Sequence, residues 1–135
     1  MTTKIFVNMP VKDLPRSRAF FESMGYHFNP QFSNDQAASL VISDTIYAML
    51  LTEPFFKGFT TRSIADTKET VEMLVCLTCE SRAQVDDLMA KAVAAGGTVP
   101  SPPQVNDFMY GHGFADLDGH HWELVYMDPN AAPPH

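Results

Sequence analysis

GHGFADLDGHHWELVYMDP, residues 111–129, sets three of the chain's five histidines and one glutamate around a single DLDG turn. Alternating runs flank it, Phe108 to Ala115 and His120 to Met127, and two such runs about a Gly-containing turn read as a β-hairpin. A four-residue turn at Asp116–Gly119 would pair Ala115 with His120, Phe114 with His121, Gly113 with Trp122 and His112 with Glu123. That register gathers Tyr110, His112, Phe114, His121 and Glu123 on one face and sends His120 and Trp122 to the other.

Working backward, SRAQVDDLMAKAVAAGG opens with a Ser81–Gln84 capping box and closes on Gly96-Gly97. Its apolar Val85, Leu88, Met89 and Ala92 fall on one helical face, and VEMLVCLTC, residues 71–79, precedes it as a strand. The same order stands in the first half. IFVNMPV (5–11) reads as a strand, and a helix follows with Asp13 as cap, Pro15 in its first turn and Gly25 at its end. A shorter strand lies around Tyr26 to Phe32, and residues 37–51 divide into two strands at Ser43-Asp44.

Strand-to-strand alignment places Phe6 on Leu74, and Asp44 falls on Asp118 in the last hairpins. Repetition at this spacing marks a duplicated unit. The expected organisation is a first β-α-β-β-β module at 1–53, an aromatic connector at 54–70, a second module at 71–128 and a disordered tail at 129–135, together one structural domain. The connector carries Phe55, Phe56 and Phe59, too apolar for a free linker, and should pack on a pocket mouth or a partner subunit.

The formal net charge of −7 and pI near 5.0 argue against nucleic-acid binding. No apolar run is long enough for a membrane helix, and MTTKIFVNMPVKDL lacks the basic-then-apolar order of a leader, so a cytoplasmic protein is expected. Cys76 and Cys79 have CxxC spacing, but residues three apart on a strand face opposite ways. Packing thiols in a reducing compartment are the expectation.

The paired modules, VKDLPRSRAFFESMGY after the first strand, and DLDGHHWELV in the last hairpin together resemble the vicinal oxygen chelate superfamily, which includes glyoxalase I, bleomycin-resistance proteins, fosfomycin-resistance enzymes and extradiol dioxygenases. The resemblance covers residues 4–128. It implies an α+β fold in which two β-α-β-β-β modules form a half-open curved mixed sheet. It also implies a homodimer, and a divalent metal on the concave face held from the first and fourth strands of each module. Those positions are Phe6, Met49, Leu74 and Glu123 here, and only Glu123 can bind a hard cation.

Three readings of the hairpin remain: a His–Glu hydrogen bond lining a pocket, metal-free acid/base chemistry by Glu123 with His112 or His121, and a rearranged metal site built from the same three. Phe6, Asn8, Tyr47, Met49, Leu74, Cys76, Tyr110 and Phe114 are expected to line the cavity. The expected function is binding of a small apolar or aromatic molecule with no cofactor. The alternative is a lyase, isomerase or dioxygenase using Glu123, with or without Zn, Ni, Mn or Fe.

Overall fold

The structure is a computed structural model and describes residues 2–130. The chain divides into two compact units, residues 1–66 and residues 67–135, each with its own sheet.

In the first unit β1 (Ile5–Val11) leads into α1 (Leu14–Ser23), then β2 (His27–Asn29), β3 (Ala37–Val41) and β4 (Ile46–Thr52). Asp13 caps α1 by accepting the Arg16 N–H at 3.1 Å, and Gly25, with φ +100°, ends it. Spacing puts Leu14, Ser17, Phe20 and Phe21 on the buried face of the helix. They belong with Met9, Val11, Phe28, Ala38, Leu40, Ala48 and Leu50 to the buried set of this unit. Each fully buried Leu or Phe there contributes about 1.5–3 kcal/mol. The sheet order is β1-β4-β3-β2, parallel between β1 and β4 and antiparallel elsewhere. After β4 come α2 (Glu53–Phe56) and one 3₁₀ turn (Lys57–Phe59), where Phe55 meets Phe59 edge-to-face at 5.4 Å.

The second unit repeats the plan with β5 (Leu74–Thr78), α3 (Arg82–Ala94), β6 (Gln104–Val105), β7 (Met109–Ala115) and β8 (His121–Met127), in the order β5-β8-β7-β6. β5 is shorter than the VEMLVCLTC run, beginning only at Leu74. Ser81 caps α3 by accepting the Gln84 N–H at 3.0 Å, while Gln84 Oε1 accepts from the backbone of Glu80 at 2.7 Å. The helix buries Val85, Met89 and Ala92, and the sheet turns Phe114, Trp122 and Leu124 into the same core. Phe114 and Trp122 stack in parallel, 6.4 Å between centroids.

Repetition extends to the register. Met49 pairs with Asn8 and Ser39 in the first sheet, and Glu123 pairs with Cys76 and Gly113 at the corresponding places in the second. Two β-α-β-β-β modules with mixed sheets are therefore present. Of the tail at 129–135, residues 131–135 lie outside the described residues.

The last hairpin differs from its expected register by one residue. Ala115 pairs with His121, Phe114 with Trp122, Gly113 with Glu123 and His112 with Leu124. The cause is the turn. Asp116 N–H bonds the carbonyl of His120 at 3.0 Å, so Asp116 and His120 close a three-residue loop, Leu117–Gly119, with Gly119 at φ +84°. This is the loop type in which a left-handed glycine restores the strand. Because side chains alternate, the slip carries His112, Tyr110 and Phe114 to the face opposite Glu123.

Candidate functional site

The face of the second sheet turned away from α3 carries a concavity of about 420 Å³. Its walls are Leu74 and Cys76 from β5, Met109, Gly111 and Gly113 from β7, and His121, Glu123 and Val125 from β8, with Gln104 and the Pro100-Ser101-Pro102 segment at one side. His112 reaches its rim from the other side of β7, through a hydrogen bond between Nε2 and the Ser101 carbonyl at 3.0 Å.

Glu123 is the central polar group. Its carboxylate lies over Gly113, so close that a Cβ built there would stand 2.6 Å from Oε2 and 2.8 Å from Oε1. Only a residue without a side chain leaves that space. Among the described residues Glu123 makes no hydrogen bond or ion pair. Cys76 pairs with it across the strands; burial, and then the Glu123 charge, push the Cys76 thiol above its ordinary value. Burial raises Cys79 as well, with Cys76 adding to it. A thiol shifted this way is a poor nucleophile at neutral pH.

The turn below the site is built on Asp116, a buried carboxyl the sequence reading had not singled out. Its Oδ1 accepts the backbone N–H groups of Asp118 at 2.9 Å and His120 at 3.0 Å, and its Oδ2 accepts Trp122 Nε1–H at 2.9 Å. Burial pushes Asp116 up from its ordinary value; His120, the Trp122 bond and the Asp118 N–H oppose that rise. Thr67 donates its hydroxyl to the Asp118 carbonyl and lies against Gly119, tying the end of the connector to the turn.

Of the expected site residues, Leu74, Cys76, His121 and Glu123 line one concavity, and His112 only its edge. Tyr110 and Phe114 do not. Tyr110 donates its hydroxyl to Asp86 of α3 beneath the Arg82 guanidinium, and Phe114 is in the core. The expected His112–Glu123 pair is therefore absent, because the two side chains leave opposite faces of the sheet.

In the first unit Phe6, Asn8, Tyr47 and Met49 do share one face, the face away from the helix-packed core. Phe6 stacks on Tyr47 at 4.7 Å, and the Tyr47 hydroxyl bonds the Asp44 carbonyl at 2.9 Å. The site residues missed from the sequence are Gly111, Gly113, Val125, Gln104 and the Pro100-Ser101-Pro102 segment; Met109, read as core filling near the site, lines it. Two glycines inside a strand were the available sign.

The residues present do not fit the metal that the resemblance implies. Phe6, Met49 and Leu74 offer no donor for a hard cation. Among the described residues, no group of three or more His, Cys, Asp or Glu is placed to hold one ion.

Residues 3–43 match the family model described as bleomycin resistance protein-like N-terminal. Among solved structures, a hypothetical protein from S. aureus is 29% identical, with 93% of this chain and 95% of that one covered and a TM-score of 0.78. A glyoxalase/bleomycin resistance protein/dioxygenase family enzyme from Burkholderia phytofirmans is 14% identical, over 93% and 99%, with a TM-score of 0.79. A glyoxalase-related enzyme from Fulvimarina pelagi is 20% identical, over 93% and 88%, with a TM-score of 0.76. Against curated protein sequences there is no significant match. The chain thus has the fold of the glyoxalase/bleomycin resistance/dioxygenase proteins, and its first 43 residues contain the stretch that matches a bleomycin resistance protein-like model. No helix among the described residues is long and apolar enough to cross a membrane.

Proposed function

We propose that the chain binds a small apolar or aromatic molecule on the open face of its second sheet, with no metal in the site. The lining carries this reading. Leu74, Met109 and Val125 make an apolar wall, Glu123 adds one carboxylate, and no lysine or arginine is among the lining residues. A mostly apolar concavity with few placed polar groups is the usual form of an organic-ligand site. The match of residues 3–43 to a bleomycin resistance protein-like model supports a protein that holds its ligand.

A second reading, proton transfer to and from a substrate, rests on Glu123 and His121. Both belong to β8 and line the same concavity. His112 stands only at the rim of that concavity, its strand position being on the other face.

The test is calorimetric titration of the chelator-stripped chain with Ni, Zn, Mn and Fe(II), beside melting curves with the aromatic cation proflavine. The reading expects no stoichiometric ion and a melting temperature raised by proflavine. Tight binding of one ion per chain that Glu123→Ala abolishes would overturn it.

A further inference from the structure

Between α3 and β6 the chain runs beside β7 but leaves the ladder. Thr98 stands opposite Ala115 and Gln104 opposite Gly111, so the five residues 99–103 face only the three residues 112–114. The excess bows the segment out as a bulge, and its Pro100, Ser101 and Pro102 form one side of the concavity. Composition explains why the bulge does not close onto β7. Pro100, Pro102 and Pro103 have no N–H to give a ladder and favour extended backbone, so the segment is stiff in itself but lacks strand bonds that fix where it stands. Among the described residues, one hydrogen bond reaches it between its two ends, from His112 Nε2 to the Ser101 carbonyl at 3.0 Å.

We infer that His112 is a positioning residue for the ligand site: it pins the proline bulge at its midpoint and so fixes the wall against which a bound molecule rests. This rests on the preceding reading that the concavity binds a small molecule. The residue acts through Ser101, from the rim. Its neighbours Gly111 and Gly113 face the concavity, and its own side chain leaves β7 on the other side. A carbonyl oxygen only accepts, so the proton of the bond is on Nε2, and the pin holds the ring in that tautomer. Without the donor the bulge keeps its two ends but swings between them, and apparent affinity falls with the fraction of molecules whose wall is in place. One neutral hydrogen bond of ordinary net strength holds such a population by about fivefold.

Two substitutions separate the donor from the bulk of the ring. His112→Ala removes the donor, whereas His112→Gln puts an amide N–H where Nε2–H stands. Both are compared with the unsubstituted chain and with Glu123→Gln, which alters the concavity from β8 and not from the bulge, and circular dichroism confirms each fold. NMR reads the His112 ring nitrogen shifts in the unsubstituted protein, which needs no variant, and backbone ¹⁵N relaxation at Val99 and Ser101 in all four chains. Calorimetry reads proflavine affinity. The expected result is a neutral ring protonated at Nε2, added motion at Ser101 in His112→Ala alone, and proflavine binding about fivefold weaker in His112→Ala and restored in His112→Gln. Glu123→Gln should weaken proflavine and leave Ser101 as it was. A ring protonated at Nδ1, or full proflavine affinity in His112→Ala, would overturn the pin while the small-molecule reading survives. Equal losses in the two His112 variants would reduce the residue to packing and overturn it as well. If the unsubstituted chain does not bind proflavine, both readings fall.

Discussion

The Glu123 carboxylate and the Cα of Gly113 occupy adjoining places on paired strands, with too little room between them for a methyl group. Gly113→Ala must therefore move the carboxylate. Since what moves is the end of a flexible side chain, the stability change should stay within about 1 kcal/mol. Ligand affinity should fall as it does in Glu123→Gln. Denaturant unfolding beside calorimetry checks both halves; a loss of several kcal/mol would mean that backbone, not the carboxylate, gives way.

Cys76 is exposed, yet it should react more slowly with iodoacetamide at neutral pH than a free thiol, because partial desolvation and then the Glu123 charge push its thiol up. Glu123→Gln removes the second of these, so the midpoint of the alkylation pH profile should move down. The measurement belongs in a Cys79→Ser background, since Cys79 is raised too. An unchanged midpoint would show that Glu123 does not act on the thiol.

Asp116→Asn keeps an oxygen for the two backbone N–H groups but sets an amide NH₂ against Trp122 Nε1–H. An unsatisfied buried donor costs about 1–3 kcal/mol, and thermal unfolding should show that loss. The pH dependence has a definite sign. The folded-state carboxyl sits above its unfolded value of about 3.9, so the folded protein keeps a proton the unfolded chain has released. That contribution is fully present below the unfolded value and is lost as pH rises through the folded one. The wild-type advantage over Asp116→Asn should accordingly narrow across that interval, and a widening gap would contradict the assignment.

Two left-handed glycines separate backbone strain from crowding. Gly25, at φ +100°, has nothing within 4 Å of a built Cβ, whereas Gly119, at φ +84°, has the Thr67 carbonyl at 2.9 Å. Gly25→Ala should cost about 1–2 kcal/mol from the backbone alone. Gly119→Ala should cost more, and Thr67→Gly, which leaves that carbonyl in place, should not relieve it. Equal losses in the two alanine variants would show that the Thr67 carbonyl gives way freely.

Trp122 should be a poor reporter of ligand. It is 1% exposed, on the α3 side of the sheet and bonded to Asp116. Its emission should resist iodide quenching and stay unchanged when proflavine raises the melting temperature, apart from energy transfer to a bound dye. Strong iodide quenching in the native state would contradict its burial.

The modules were legible in the sequence because their signals are local. Asp13 and Ser81 cap helices within their own turns, and buried residues alternate at Met9 and Val11 of β1, Ala48 and Leu50 of β4 and Trp122 and Leu124 of β8. The composition of the site was less legible because it hangs on one residue of turn length. Whether His120 belongs to the loop or to the strand depends on the Asp116–His120 closing bond and the left-handed Gly119, and the alternating pattern permits either. Glu123, His121, Leu74 and Cys76 came through that slip together, since they lie on β8 and its neighbour β5. His112, Tyr110 and Phe114, all on β7, did not. Ion-ligand positions could be compared from sequence, but the space over Gly113 could not, being defined by where a side chain from another strand comes to rest.

The strand order has a consequence for biosynthesis. In each sheet the first strand to leave the ribosome hydrogen-bonds only with the last, β1 with β4 and β5 with β8. Nascent Leu74–Thr78 thus emerges with an unpaired edge and stays so until His121–Met127 has been made, while the helix and hairpin between them can form on their own. A ribosome stalled inside the final hairpin would carry a second module complete in helix and turn yet open along β5, the segment for which a chaperone that shields unpaired strands would compete.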